Sequence, residues 1–267
     1  MPHPVAGCCQ IAISPGDIDS NVVKVERALD NLAATNCTIA VLPEMWSCGF
    51  PYRSLAAMAR QTPLLLEKVR QWAVERRMVI VGSLPEADGG RIFNTSYVMD
   101  HTGELRGAYR KVHLFSLHGE HKHFAHGNTP VVVSTSLGHL GVMICYDLRF
   151  PELSRRLALD GADILCFSAL WPETRIDHWS LLLRARAIEN QLFVLGCNGC
   201  GREGNLRYGG SSLIVSPMGT VLARAGEGEE VITAEIDMEE IRNFRSHIDC
   251  FGDRVPGAYE PDRAEGE

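Results

Sequence analysis

The sequence predicts an α/β protein of four layers, two facing sheets with helices outside, and an internal pseudo-two-fold symmetry. Three pairs of segments predict it. Ser96 to Leu105 aligns without gaps against Ser212 to Val221, each reading as strand, glycine-bearing turn and strand. Met78 to Ser83 resembles Leu192 to Cys197, and each follows a helical pattern. Ile39 to Trp46 parallels Ile164 to Trp171. Each half therefore runs helix, strand, helix, strand, hairpin, and stacking sheet on sheet with helices outside is the simplest way to bury both.

Taken in chain order, Thr38-Ile39-Ala40-Val41-Leu42-Pro43 is an apolar strand that stops at Glu44. Leu65, Val69, Trp72 and Ala73 then recur at the spacing of one buried helix face. After the strand at Met78 to Ser83 comes the first hairpin, whose return strand, Leu105 to Arg110, delivers Lys111 ahead of Val112-His113-Leu114-Phe115. In the second half, Leu140-Gly141-Val142-Met143-Ile144 runs straight into Cys145 and the turn Tyr146-Asp147-Leu148-Arg149-Phe150-Pro151. A helix is expected at once, near Pro151 to Leu159. Leu181, Ala185 and Ile188 mark the buried face of the next. No linker rich in Pro, Gly or Ser separates the halves, so residues 1–250 read as a single domain and 251–267 as a polar C-terminal tail.

The bulk numbers narrow the partners. A formal charge of -7 argues against nucleic acid or an anionic membrane, since either calls for a basic surface. No apolar run approaches the ~20 residues of a membrane helix, and Met1 to Cys9 lacks a basic region followed by a long apolar stretch. The expectation is a cytoplasmic protein acting on a small molecule. Nine cysteines, several in apolar runs such as Cys8, Cys37 and Cys166, read as reduced buried thiols rather than a disulfide framework.

Glu44, Lys111 and Cys145 follow strands that end abruptly, and ligands of open α/β sheets gather beyond the carboxyl ends of strands. A base, a cation and a nucleophile are the parts an acyl-transfer enzyme needs. In water, moving a proton from a Cys near pKa 8.5 to a Glu near 4.3 costs roughly 6 kcal/mol. A dry cleft would raise the Glu and a nearby ammonium would lower the thiol, closing that gap. Lys111 would also face the oxyanion formed on attack, with the Tyr146 backbone N–H as a second donor. Each residue also has a plainer reading: an inert buried thiol, a solvated carboxylate, a solvated lysine.

The joint pattern favours the chemistry. Leu42-Pro43-Glu44, Tyr109 to Phe115, and Gly141 to Leu153 resemble the three signature blocks of the nitrilase superfamily of carbon–nitrogen hydrolases, and Arg184 to Gln191 with the second hairpin extends the likeness over nearly the whole chain. The resemblance implies an αββα sandwich with Glu44 as base, Lys111 as oxyanion stabiliser and Cys145 as nucleophile. It implies a further glutamate, Glu120 in Leu117-His118-Gly119-Glu120-His121, orienting Lys111 or the substrate nitrogen. Tyr146-Asp147 stands where true nitrilases tend to carry Trp-Glu, so the chain looks like the amidase branch of omega-amidases and Nit proteins. That branch implies a short amide bearing a carboxylate, no cofactor, no metal and a homodimer formed through outer helices, with Arg254 to Tyr259 reaching toward the second subunit. Arg149 then pairs either with the substrate carboxylate or with Glu152 or Asp147.

Other features compete. His113, His118, His121, His123 and His126 crowd one stretch, but paired cysteines of a structural zinc site are missing there. Cys197-Asn198-Gly199-Cys200 has redox-motif spacing, yet it follows a strand and opens a glycine-rich loop, and is read as lining the cleft. Trp171 either walls the pocket or fills the core. The rival functions are an amidase of other specificity (N-carbamoyl amino acids or deaminated glutathione), a non-catalytic binding protein on the same fold, and a thiol redox or metal-binding protein.

Overall fold

Alternating apolar residues and glycine turns sort the chain into two matching sets of strands in the computed structural model, which describes residues 3–259. The first set is β1 (Val5–Gln10), β2 (Ile39–Val41), β3 (Val79–Asp88), β4 (Arg91–Met99) and β5 (Leu105–Arg110), with α1 (Ile18–Ala33), α2 (Leu55–Ala59) and α3 (Thr62–Arg76) between them. The second begins with β6 (Val132–Thr135), β7 (Gly138–Ile144), α4 (Pro151–Leu159), β8 (Ile164–Ala169), α5 (Ile176–Asn190) and β9 (Phe193–Asn198). A small ribbon, β10 (Cys200–Glu203) and β11 (Leu206–Gly209), precedes β12 (Leu213–Val215), β13 (Val221–Arg224), β14 (Glu230–Glu235) and α6 (Glu239–His247).

The two large sheets have orders β14-β1-β2-β3-β4-β5 and β6-β7-β8-β9-β12-β13. In both, the three central strands are parallel and the flanking ones antiparallel. Position for position the sheets match, as the repeat predicts. The hairpin turns match too, with Gly103 at φ +80° and Gly219 at φ +78°, a region that side chains with a Cβ enter at a cost.

Period-two alternation builds the layers. Ile39, Val41, Val79 and Val81 cluster with Val142, Ile144 and Leu195 of the other sheet. Their neighbours Ala40, Leu42 and Ile80 face the other way, onto Leu29 and Leu32 of α1 and Leu65, Val69 and Trp72 of α3. The result is the αββα sandwich.

The helices divide in how well they follow expectation. In α3 the marked residues Leu65, Val69, Trp72 and Ala73 are all buried. In α5 they are not: Leu181 and Ile188 are 65% and 45% exposed, and Trp179, Leu183, Arg186, Ala187 and Asn190 face inward. The segment is apolar on two faces, so spacing alone admits two solutions. Polar bonds decide between them, because Arg186 donates to the Leu148 carbonyl at 3.0 and 3.2 Å and Trp179 to the Ser211 carbonyl at 2.9 Å. Helix α4 begins at Pro151, whose missing N–H costs nothing at a first helical position.

Past α6 the chain stays attached. The Arg155 and Arg245 guanidiniums lie 5.1 and 4.9 Å from the Phe251 ring, and Pro256–Ala258 makes a 3-10 turn. The rest of the expected tail, 260–267, lies outside the described residues.

Candidate active site

Glu44 lies just beyond β2, Lys111 directly follows β5 and Cys145 directly follows β7. Met45 at φ +48° and Cys145 at φ +45° break the extended line sharply, each at a cost of order 1–3 kcal/mol that the surrounding packing must offset. The bend turns the Cys145 side chain out of the strand ladder into a cleft. The Lys111 N–H donates to the Asn94 carbonyl at 2.9 Å, which fixes where the lysine leaves the sheet.

The three side chains meet, and Glu120 joins them. Lys111 Nζ lies 2.7 Å from Glu44 Oε1 and 2.9 Å from each Glu120 oxygen. Glu44, Lys111 and Glu120 are all buried, with exposures of 1%, 2% and 2%. Remaining lone pairs are filled: the Leu170 N–H donates to Glu44 Oε2 at 3.1 Å and the Phe115 N–H to Glu120 Oε2 at 2.6 Å. Asn94 Nδ2 donates to Glu44 Oε1 at 2.9 Å and to Glu120 Oε1 at 3.4 Å. A buried charge cluster so fully bonded is rigid and expensive to break.

Cys145 opens onto the same cleft as Glu44 and Lys111 and feels both charges. Burial pushes the Glu44 carboxyl above its ordinary range, with Lys111 opposing and Glu120 adding to the rise. For Lys111 burial works against the charge, but Glu120, Glu44 and Cys145 outweigh it and hold the ammonium well above its usual value. Cys145 departs from the sequence-based expectation. Burial and then the Glu44 charge raise the thiol well above its ordinary value, and Lys111 offsets this only in part. Both shifts therefore favour the protonated forms, the thiol of Cys145 and, to a lesser degree, the acid of Glu44.

These groups open onto a cleft of about 360 Å³ that is also lined by Tyr146, Arg149 and Trp171, so all seven residues singled out in the sequence share one cavity. The Arg149 guanidinium lies 4.7 Å from the Trp171 ring and 3.4 Å from His178 Nδ1. It forms no salt bridge with Glu152 or Asp147 among the described residues; Asp147 is engaged instead by Tyr109 and His113. Trp171 is both wall and core, 3% exposed, with Nε1 donating to the Arg175 carbonyl at 2.8 Å.

Sequence reasoning missed Asn94 and the rest of the lining. Arg175 is a second guanidinium on the cleft, and Tyr52, Glu203 and Tyr208 close its other side. Asn94 had a signal, since three polar residues in a row inside an apolar strand call for partners; Asn94 and Thr95 find them in Glu44 and Glu86, while the Ser96 hydroxyl does not. Arg175 and Glu203 had none, because their neighbourhood comes from connections remote in sequence. Cys197 and Cys200 do not line the cleft. Both are buried, and Cys197 Sγ bonds the Cys9 carbonyl at 3.3 Å; it is the following ribbon that contributes Glu203, Leu206 and Tyr208. The histidine run disperses into separate contacts: His113 against Asp147, His123 stacked on Tyr52 at 4.1 Å, His126 against the Gly127 carbonyl.

The fold and the acid, ammonium and thiol gathered on one cleft fit a hydrolase of carbon–nitrogen bonds, and comparison with known proteins gives that class. The carbon–nitrogen hydrolase family matches residues 5–246, and the chain belongs to that family. It is 36% identical over 248 residues to a 2-oxoglutaramate amidase of Bacillus subtilis, covering 92% of this chain and 95% of that one. An omega-amidase of Escherichia coli is 33% identical over 244 residues, 89% and 91% of the two chains. A crystal structure of a Helicobacter pylori carbon–nitrogen hydrolase superposes with a TM-score of 0.91 at 26% identity, covering 96% of each chain.

Proposed function

We propose that this chain is a cysteine-dependent, omega-amidase-like enzyme that hydrolyses a small amide bearing a carboxylate, through a thioester on Cys145, to the acid and ammonia. The observation that carries this reading is the convergence of the buried Glu44, Lys111 and Glu120 with the partly buried Cys145 on a cleft with two guanidiniums, Arg149 and Arg175. Its relatives' names, 2-oxoglutaramate amidase and omega-amidase, point the same way.

The steps follow from the geometry. The Cys145 proton passes to Glu44 as sulfur attacks the amide carbon, and the carbonyl oxygen becomes an oxyanion facing the Lys111 ammonium and the Tyr146 N–H. Donors of this kind contribute about 10²–10³ in rate each. Glu44 returns the proton to nitrogen as the C–N bond breaks, releasing ammonia and leaving the thioester. Water then attacks that carbon, its proton taken by Glu44, and the C–S bond breaks to give acid and thiol. Glu120 keeps Lys111 charged and aimed. Arg149, with Arg175, pairs the substrate carboxylate, and Trp171 and Tyr146 wall the chain between amide and acid.

The test is a panel of amides scored for ammonia, with intact-mass detection of an acyl adduct. Ammonia from succinamate or 2-oxoglutaramate and an adduct on Cys145 support the reading. Carbon dioxide released with ammonia points to N-carbamoyl amino acids instead. No adduct and no ammonia from any amide leaves a binding protein.

Location and assembly belong to the same proposal. All nine cysteines are free thiols, as a reducing cytoplasm allows. The outward side of α5 carries exposed Leu181 and Ile188, and Met218 is 60% exposed nearby in the fold, beside the turn where Gly219 packs against Ile188. A second copy of this chain covering that face gives the homodimer.

A further inference from the structure

The carboxylate of Asp147 is fully buried, at 0% exposure, and no step of the reaction above uses it. Its Oδ2 accepts from the Tyr109 hydroxyl at 2.8 Å and from the Ile144 N–H at 3.0 Å. Its Oδ1 accepts from the His113 N–H at 3.0 Å and lies 2.8 Å from His113 Nδ1. The Tyr109 hydroxyl in turn accepts from the Val112 N–H at 3.2 Å. The His113 ring is held from its other side, stacked on Phe150 at 3.6 Å with the planes 6° apart.

The pattern of these bonds is what matters. On one side they fall on residues 109, 112 and 113, which flank Lys111; on the other they fall on 144 and 147, which flank Cys145. The two segments hang from different sheets, β5 and β7, so no backbone ladder relates them. The bonds that cross between the sheets elsewhere, such as Leu170 N–H to Glu44 and Cys197 to the Cys9 carbonyl, join other strands, and the apolar packing around these two segments is non-directional. One carboxylate supplies the directional link that packing lacks. It is also the right group, since an ionised carboxylate only accepts and the Tyr109, Ile144 and His113 partners donate. The Ile144 bond also tightens the turn in which Cys145 is held at φ +45°.

We propose that Asp147 is a positioning residue that sets the distance and orientation between the Lys111 ammonium and the Cys145 sulfur, with Tyr109 as its arm toward the lysine. This rests on the amidase reading above and deepens it. An asparagine at 147 keeps the shape but turns an N–H₂ toward donors on one side, so one pair of bonds is lost and the segments drift apart. Displacements of about 1 Å cost on the order of 10²-fold in rate.

The experiment compares Asp147→Asn, Tyr109→Phe and Asp147→Glu with the parent. Two readouts are taken: kcat and KM on the best amide, and the rate at which acrylamide adds to Cys145 across pH, mapped by peptide mass spectrometry. Asp147→Asn should lose about 100-fold in kcat with KM nearly unchanged, and its addition profile should move to higher pH, because the ammonium that favours the thiolate is no longer aligned. Tyr109→Phe should lose about 10-fold, and Asp147→Glu should recover most of what asparagine loses. An Asp147→Asn protein with lowered Tm but parental kcat and an unmoved profile overturns the inference. If that variant fails to fold, Tyr109→Phe decides alone, and parental kcat there overturns it. A Cys145→Ala protein that keeps parental kcat overturns the nucleophile assignment itself, an outcome distinct from the others.

Discussion

The two halves of this molecule share a strand order but not a chemistry. Glu44, Lys111 and Glu120 come from the first half and Cys145 from the second. The repeat aligns Glu44 with Ala169 and Met45 with Leu170, and these equivalent loops meet: the Glu44 N–H reaches the Ala169 carbonyl at 3.4 Å, and the Leu170 N–H bonds the Glu44 carboxylate. A symmetric frame thus brings two strand ends face to face, one carrying the carboxylate proposed as base and the other a backbone N–H that bonds it. Neither half alone holds all four of these residues.

Emptying the second half's contribution gives the largest expected effect. Cys145→Ala should lower ammonia release by about 10⁴-fold or more, as removal of a nucleophile does in enzymes whose catalytic residues act as a unit; a fully active variant would remove Cys145 from the mechanism. In the first half, Lys111→Met leaves two buried carboxylates facing each other without a cation. Breaking a buried ion cluster costs about 3–5 kcal/mol, so a clear fall in Tm should accompany the loss of activity. An unchanged Tm would mean that the carboxylates share a proton instead.

Smaller effects sharpen the picture. The base must be ionised to act, and Glu44 sits above the ordinary carboxylate range by burial, with Glu120 adding to the rise. Activity should therefore fall on the acid side at a pH above 4.5, the ordinary value of a glutamate. Glu120→Gln removes one source of the rise and one support of the Lys111 charge, so both limbs of the kcat/KM profile should move to lower pH. A stationary acid limb would break the link between Glu120 and Glu44. Arg149→Ala should raise KM for a carboxylate-bearing amide about 10-fold or more, the usual worth of a charged hydrogen bond, and leave a neutral amide of similar size unaffected. Equal losses on both would assign Arg149 to the fold. Least of all, Leu181→Glu should change the sedimentation of the protein while leaving kcat near parental.

Legibility also differs between the halves. The strands ending at Glu44 and Cys145 could be read because apolar runs stop abruptly at a residue unsuited to burial without a purpose. Helix α3 could be read because its outward side is mostly polar, whereas α5 could not, because Leu181 and Ile188 compete with Leu183 and Ala187 for the inward face. Glu120 was visible only through likeness to the family's spacing. Arg175 and Glu203 were invisible, since what places them on the cleft is a turn and a ribbon whose path depends on tertiary contacts. The direction of the Cys145 shift was misjudged for a related reason: sequence names the neighbouring ammonium but not the depth of burial or the adjoining carboxylate that outweigh it.

A thiol that burial and a neighbouring carboxylate hold above its ordinary range has a bearing on survival in the cell. The anion, not the neutral form, attacks peroxides and disulfides. A site that holds that anion back should lose activity to peroxide more slowly than one with a resting thiolate.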